Sequence, residues 1–456
     1  MTQAANGAQG KFVTGSLMRH VVTMSLAGAL GLSFTFLVDF LALFWISRRG
    51  IEAEMAAVGI AGTIQFGQIS LGVGMMIGAV ALVSRSIGQG ERPRARRIAT
   101  TAMLLTLTVQ VVLSLGLWIF RVPVLAASGA TGDALALGER FLAITLPSMP
   151  LIAAGIMCSS LLRAVGDAWR SMAVTMVAGA LAVGLDPVLI LWMGWGTEGA
   201  GWSIVLARLA MATTGLWFVL KSHDLLAAPS RADLAEFIRP YAAIALPAIA
   251  TQMSTPFGNW ILTRAIAAHG EGAVAGWSVV MRLSILAFGG IFALSGAIGG
   301  IIGQNYGARR PDRVADAFRA ALMFCATYTL VTWALMAALS GPIASAFRLA
   351  PEGAAIVDIF THWAVGAFVF TGALFVANAA FNNLGRPLAS TAANWFRDGV
   401  LMFPLSLAMA AGFGAAGIVW ANALANVIAG TLATLLARRH IAGMQGQGAV
   451  AGGSAA

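Results

Sequence analysis

The chain has 456 residues, of which 59% are hydrophobic and only 10% are charged, and its mean hydropathy is +0.84. A soluble domain carries about 25% charged residues, so this composition excludes a large water-exposed surface and indicates lipid as the solvent. The formal charge of +10 does not indicate nucleic-acid binding, because the excess Lys and Arg lie in short junctions between apolar segments, where they report membrane topology.

Twelve long apolar segments follow one another along the chain. A membrane-spanning helix needs about 20 apolar residues, whereas the strands of a membrane β-barrel alternate in segments of about ten. Runs as long as these therefore favour helices, and we predict an all-α polytopic membrane protein with twelve transmembrane helices. The segments are residues 18–46, 56–82, 98–120, 138–162, 169–193 and 200–220, then 241–267, 274–302, 316–340, 355–380, 388–411 and 415–437.

The polar stretch between the sixth and seventh segments divides the chain into two sets of six. We predict a cytoplasmic N-terminal tail at residues 1–17, an N-lobe at 18–220, a cytoplasmic linker at 221–240, a C-lobe at 241–437 and a flexible C-terminal tail at 438–456.

Positively charged residues predict the orientation. The N-terminus and the junctions after even-numbered segments hold most of the Lys and Arg, including the run Arg92–Arg97. Such an excess marks the cytoplasmic side, so we expect a multi-pass protein of the cell inner membrane with both termini in the cytoplasm. The opposite side holds only Arg48, Arg49, Arg121, Arg140, Arg264 and Arg348.

Short motifs recur in the same order in both halves, which indicates a duplicated six-helix unit. Because each unit has an even number of spans, the second keeps the orientation of the first, and the repeats are parallel. A substrate path between two such lobes is the usual consequence. The matched pairs are Ile87–Gly90 with Ile302–Asn305, Arg163–Gly166 with Asn382–Gly385, and Gly194–Trp202 with Gly412–Trp420.

An ordered set of motifs resembles the multidrug and toxin extrusion (MATE) family, closest to its bacterial DinF-like branch. The resemblance spans nearly the whole chain and implies an alternating-access antiporter that exports drugs or amphipathic organic cations against a cation gradient, expected to be protons. The motifs are Val38-Asp39, Met55–Gly59, Gly88-Gln89, Arg163–Asp167, Asp186-Pro187, Gly194–Gly201, Leu246-Pro247, Gly303-Gln304 and Asn383–Pro387.

The chain departs from the family pattern in three places. The first apolar segment lacks the proline that members often carry there, and Ala182 stands where an asparagine often precedes the aspartate of the fifth segment. Segments 7 and 10 lack the acids of the NorM branch, so a sodium site in the C-lobe is not expected.

Asp39 and Asp186 lie inside the first and fifth apolar segments. An ionisable residue within a spanning helix costs about 2.5–3.5 kcal/mol on insertion scales, and the resemblance implies that these two bind the coupling proton or cation. Their counterparts in the second repeat are Asn259 and Pro404. We therefore expect the coupling site in the N-lobe and a more neutral C-lobe.

Other polar residues within the apolar segments give weaker predictions. Gln65, Asn259 and Asn378 are candidates to line the substrate cavity or to join helices. Arg208, Arg282 and Arg397 are expected to pair between helices or to extend towards the membrane surface. Arg397 precedes Asp398, but neighbours in an α-helix point in different directions.

The sequence gives no sign of an enzyme, a cofactor or a metal site. It lacks a phosphate-binding Gly-x4-Gly-Lys-Ser/Thr run, its five histidines are scattered, and no nucleophile and base lie in a catalytic pattern. The two cysteines, Cys158 and Cys325, lie in apolar runs and are expected to be buried without a disulfide. A membrane-embedded enzyme would require a catalytic cluster that is missing here.

Two alternatives stay open within the transporter class. A lipid-linked precursor flippase of the same superfamily would share the duplication, and its cavity would be rich in Arg or Lys. A sodium-coupled exporter would share both the fold and the substrates. In each case the expected partners are a small organic cation or drug, H+ or Na+ and the lipid bilayer, and the protein is expected to be a monomer.

Overall fold

A computed structural model describes the backbone of residues 10–347 and 349–453, and the side chains of the same residues except Asp39 and 446–453. Its elements are helices, and no strand occurs in these ranges. The first ten are α1 (Leu17–Ser47), α2 (Glu52–Gly88), α3 (Arg92–Ile119), α4 (Arg121–Ala127), α5 (Gly132–Thr145), α6 (Met149–Ala164), α7 (Ala168–Asp186), α8 (Gly196–Trp217), α9 (Arg231–Ala267) and α10 (Glu271–Ala287).

Seven further helices complete the described chain, and short 3₁₀ or π-helical turns join several neighbours. These helices are α11 (Gly289–Gly307), α12 (Pro311–Ala338), α13 (Ser340–Ala346), α14 (Pro351–His362), α15 (Phe368–Asn383), α16 (Pro387–Trp395) and α17 (Met402–Gly453). Proline begins α12, α14 and α16, because its fixed φ suits the first turn, where its missing N–H is not needed.

The helices follow the predicted apolar segments in order. In the described ranges, nine helices are long and apolar enough to cross a membrane, or ten if the bent pair α10–α11 forms one span. The 37-residue α9 covers the seventh predicted segment. The long final stretch divides at Gly414, whose backbone is not helical (φ 58°, ψ −143°), and its two parts cover the last two segments. The helices thus account for the twelve predicted segments, and the predicted all-α polytopic fold is confirmed.

The chain divides into two compact units, each with its own apolar core. We call Leu30–Val83 with Glu91–Ile249 the N-unit, and Met1–Ala29 with Ser84–Gly90 and Ala250–Ala456 the C-unit. The predicted lobes at 18–220 and 241–437 stay a prediction, because their bounds differ from those of the units. The start of α1 and the end of α2 belong to the C-unit.

The same helix pairs pack in both units. In the N-unit, α3 packs against α6, α6 against α8, and α7 against α8. In the C-unit, α12 packs against α15, and α15 packs against α17. The third corresponding pair is α16, together with the π-helical turn Phe396–Leu401 that follows it, against α17. The duplication read from short motifs therefore extends to the packing of the helices.

The linker between the two predicted lobes begins as an extended segment that is bonded to α3. Arg96 donates to the Leu226 carbonyl at 2.9 Å and pairs with Asp224 at 2.8 Å. Thr100 Oγ1 accepts from the Ala227 N–H at 2.8 Å and lies 3.1 Å from the Ala227 carbonyl oxygen. The linker is thus attached to the N-unit before α9 begins.

The final helix continues beyond the boundary predicted for the C-terminal tail. The sequence predicted a flexible tail from residue 438, whereas α17 is helical to Gly453. Residues 438–453 contain no proline and combine helix-favouring Ala, Gln and Met with five glycines, which weaken a helix. The flexibility of this tail stays a prediction.

The repeated Ile-Gly-Gln motifs meet each other within the C-unit. A Cβ added at Gly88 would overlap the Gln304 carbonyl oxygen, and one added at Gly303 would overlap Ser84 Oγ. Small residues let two helix backbones approach this closely in a membrane protein. The duplicated glycines are therefore explained by packing at the end of α2 against α11.

We predict that Gly88→Ala destabilises the protein, because the added methyl group has no room against the Gln304 carbonyl. Overpacking of this kind costs about 1–3 kcal/mol, which lowers the thermal unfolding midpoint of the purified protein in detergent. The control is Gly116→Ala in α3, where an added Cβ meets nothing within 4 Å. Equal midpoints for the two variants would contradict this packing.

Candidate functional site

Asp186 is buried inside the N-unit. It is the last residue of α7, where the chain passes into the π-helical turn Pro187–Trp192, and it is only 2% exposed. Ser203 lies beside the carboxyl group, but the Asp186 Oδ2 atom has no hydrogen-bond partner among the described residues. A buried carboxylate oxygen in that state is costly, and it calls for an explanation such as a functional role, a bound water or an ion.

Asp39 lies in α1, but its side chain is outside the part of the chain that the structure describes. The packing of α1 against α7 still fixes the level of its backbone. A Cβ at Gly31 would lie 2.7 Å from Thr175 Oγ1, and a Cβ at Gly179 would lie 2.7 Å from the Phe34 ring. The helices are therefore in contact along this stretch.

These contacts relate residue 39 to the end of α7. Gly31 meets Thr175, and Gly179 meets both Phe34 and Val38, so the offset between the helices is 141–145 residues and the backbone of residue 39 lies level with residues 180–184. At about 1.5 Å of rise per residue, this level is roughly 3–9 Å along the axis from Asp186. The backbones that carry the two predicted coupling residues thus belong to one region of the N-unit.

Gln65, a predicted cavity residue, is buried in a polar cluster of the N-unit. Its Nε2 donates to Thr145 Oγ1 at 3.0 Å, and its Oε1 accepts from Arg208 Nη2 at 2.6 Å. Arg208 also donates to the Thr145 carbonyl at 3.0 Å and to Ser148 Oγ at 2.8 Å. The guanidinium therefore joins helices and does not extend to the membrane surface.

A break in the fourth span makes this cluster possible. The helix ends at Thr145, and a 3₁₀ turn at Leu146–Ser148 precedes α6. The irregular turn presents the Thr145 carbonyl and the Ser148 hydroxyl to Arg208. Gln65 therefore connects α2 to this turn and to α8, and its part in substrate binding stays a prediction.

The other two predicted cavity residues belong to the C-unit. Asn378 in α15 accepts a hydrogen bond from Asn394 Nδ2 at 2.9 Å. Asn259 is half-buried in α9 and follows Gly258, whose Cα faces the Asp398 side chain. The structure thus brings Asn259 and Asn378 into the same unit and places Gln65 in the other.

The C-unit holds a deep carboxylate of its own, which is compatible with the predicted more neutral C-lobe because it is paired with an arginine. Asp398 is 2% exposed and forms a bidentate ion pair with its neighbour Arg397, at 2.7 Å (Nε to Oδ1) and 2.8 Å (Nη2 to Oδ2). Arg397 Nη1 also lies 3.4 Å from Asn426 Oδ1. The pair is neutral as a whole, but it is a buried charged site that the repeat comparison with Asn259 and Pro404 overlooked.

The pair lies at a local change of helix type. Neighbouring side chains of an α-helix diverge, but residues Phe396–Leu401 form a π-helical turn. Wider turns of this kind occur frequently at functional sites. The adjacent Arg and Asp within an apolar segment were the available signal, and only the backbone geometry shows that they meet.

We predict that Gln65→Leu destabilises the N-unit, because it removes the acceptor 2.6 Å from Arg208 and the donor to Thr145. Leaving buried polar groups with fewer partners costs about 1–3 kcal/mol each, which a lower thermal unfolding midpoint in detergent would reveal. The control is Thr63→Val in the same helix, where the hydroxyl is exposed and bonds only to Ile60 of its own helix. A Gln65→Leu variant as stable as this control would contradict the cluster.

Comparisons with known proteins agree with this architecture. The MatE family model matches twice, at residues 28–188 and 247–408, once in each half of the duplicated chain. An "FAD transporter" of Shewanella oneidensis is 26% identical over 427 residues, which cover 92% of this chain and 94% of that protein. The "Multidrug export protein MepA" of Staphylococcus aureus is 20% identical over 433 residues, covering 93% and 94%.

A solved structure shows the same fold. The crystal structure of a MATE protein in complex with MaL6 superposes with a TM-score of 0.89 and 21% identity, over 96% of this chain and 99% of that one. The two family matches together cover most of the chain, as the sequence motifs predicted. The protein is therefore a multi-pass membrane transporter, rather than an enzyme, and belongs to the MatE family.

Proposed function

We propose that the protein is a proton-coupled antiporter that exports amphipathic organic cations or drugs, with Asp39 and Asp186 as the coupling residues. The observation that carries the proposal is the burial of Asp186 beside a helix whose contacts place the backbone of residue 39 within about two helical turns of it along the axis. Relatives that include a multidrug exporter support the drug-export part.

The physical basis is competition for negative charge. An ionised carboxylate inside a lipid-spanning bundle attracts any cation that reaches it, since the surrounding dielectric constant is low. Protonation removes that charge, so a proton and a cationic substrate cannot both be held strongly. Two neighbouring carboxylates would titrate as a pair. Proton entry from outside would then release the substrate there, which is the direction that export requires.

A second candidate is export of a flavin nucleotide. It is favoured by the 26% identity, over almost the full length, to a protein named as an FAD transporter. FAD carries two phosphates, and the buried guanidinium groups of Arg208 and Arg397 are the type of group that recognises phosphate. A lipid-linked precursor flippase would use the same chemistry, and sodium would replace the proton in a sodium-coupled exporter.

The distribution of Lys and Arg between junctions favours an orientation with both termini in the cytoplasm. We further propose that the protein lies in the cell inner membrane and acts as a monomer. Residues 18–220 and 241–437 would act as two lobes that alternate in exposing a substrate path. The division of the chain into two compact units is compatible with such movement.

We predict that Asp186→Asn and Asp39→Asn each reduce proton-driven transport by about ten- to hundredfold, the range of typical coupling energies. The measurement is uptake of ethidium into proteoliposomes that are acidic inside, with pH and sodium gradients imposed separately. The control is Asp133→Asn, an exposed acid at the start of α5, which should transport at the rate of the unchanged protein.

The outcomes separate the candidates. Uptake driven by pH alone supports proton coupling, and uptake driven only by sodium contradicts it. Full pH-driven transport by Asp186→Asn would remove that residue from the mechanism. Transport of FAD in place of ethidium would favour the flavin candidate.

A further inference from the structure

Three aromatic rings form a continuous cluster on α9 and α16 of the C-unit. Phe257 stacks with Trp260 at a centroid distance of 6.0 Å and contacts Trp395 at 5.4 Å. The rings stay partly open, with Phe257 39%, Trp260 56% and Trp395 36% exposed. The cluster therefore presents aromatic surface that the described protein does not cover.

The rings are held in place and already accept a cation. Trp395 Nε1 donates to the Ala250 carbonyl at 2.9 Å, which fixes the indole against α9. The Arg264 guanidinium lies 5.7 Å from the centroid of the Trp260 ring, within the range of a cation–π contact. This contact joins neighbours one turn apart in α9 and indicates that the Trp260 ring is placed where it attracts a cation.

The buried ion pair lies next to these rings. Gly258 follows Phe257 in α9, and a Cβ added there would lie 2.8 Å from Asp398 Oδ1. Glycine at this position lets Asp398 approach α9. The Arg397–Asp398 pair and the three rings therefore lie where α9 packs against α16 and the π-helical turn that follows α16.

Stability alone gives no reason for this ion pair. Two residues adjacent in one helix do not join two helices, and among the described residues the pair's further hydrogen bond is the long one of 3.4 Å from Arg397 Nη1 to Asn426 Oδ1. Replacing a buried ion pair by apolar residues is often neutral or stabilising. A charged pair within a lipid-spanning segment is therefore a reasonable hypothesis for a functional site.

We propose that Phe257, Trp260 and Trp395 are a binding platform for the flat aromatic ring system of the transported molecule, and that Arg397 and Asp398 interact with its charged group. This assignment rests on the proposed export function and adds to it a site in the C-unit, separate from the coupling carboxylates of the N-unit. The chemistry is a planar polycyclic ring, which occurs both in cationic dyes and in the isoalloxazine of FAD.

An interfacial aromatic belt is the competing explanation. Belt residues are Trp and Tyr at the membrane surface, where their polar edges reach water. Trp363, which is 64% exposed near a helix end, is an example of that type. The platform differs, because its three rings contact each other across two helices beside a buried charged pair.

The test is equilibrium binding of ethidium and of FAD to the full-length protein in nanodiscs, followed by probe fluorescence. Phe257→Leu and Trp395→Leu keep apolar volume but remove a ring. Each should weaken binding by roughly three- to tenfold, as expected for one aromatic contact. Trp395→Phe should recover most of the loss, since it restores a ring, and the control Trp363→Leu should bind as the unchanged protein does.

The charged pair identifies which molecule uses the platform. For a cationic ring system, Asp398→Asn weakens ethidium binding and Arg397→Gln does not; for a flavin, Arg397→Gln weakens FAD binding and Asp398→Asn does not. The double variant Arg397→Gln/Asp398→Asn keeps the site neutral and checks that a loss is not caused by misfolding.

Failure of this proposal is separable from failure of the export function. Asp186→Asn should lose pH-driven transport, and in that background Phe257→Leu should still weaken ring binding relative to Trp363→Leu. The platform is overturned if Phe257→Leu and Trp395→Leu both bind the probes as tightly as Trp363→Leu, or if the unchanged protein binds neither probe.

Discussion

The structure depends on one constraint: a polar or charged side chain inside a lipid-spanning helix must find its partner within the protein. Arg208 meets this constraint through Gln65, Thr145 and Ser148. Arg397 and Asp398 meet it through each other. Asp186 Oδ2 contrasts with these groups, because it has no hydrogen-bond partner among the described residues, and we therefore propose this carboxylate, rather than Arg208 or Arg397, for proton binding.

Breaks and changes of helix type occur where these buried polar side chains form their hydrogen bonds. The break after Thr145 presents a carbonyl and a hydroxyl to Arg208, and the π-helical turn at Phe396–Leu401 brings two neighbouring side chains together. A second π-helical turn directly follows Asp186. Non-regular backbone is tolerated within a membrane only where the freed groups find partners inside the protein. The three positions therefore coincide with the polar sites of the two units.

The two halves share a plan but differ in chemistry. Both come from one duplicated unit, and the same helix pairs pack in each. The N-unit holds the buried carboxylate of Asp186, which we propose as a proton-binding group. The C-unit holds the Arg397–Asp398 ion pair beside partly exposed rings, which we propose as a ligand site. In this proposal, divergence after duplication gave coupling to one half and binding to the other.

The sequence alone determined the twelve apolar segments, their duplication and the family, because each depends on local hydrophobicity and on motifs in a fixed order. It also identified Asp186 as a deep carboxylate, since an acid within an apolar run is visible without coordinates. Only the tertiary structure decided which partners the polar residues meet. Gln65 is hydrogen-bonded to Arg208, which lies 143 residues away in the chain. Asp398 pairs with its neighbour Arg397 at a π-helical turn. Contacts between distant segments, and departures from regular helix geometry, arise from packing and leave no periodic signal in the sequence.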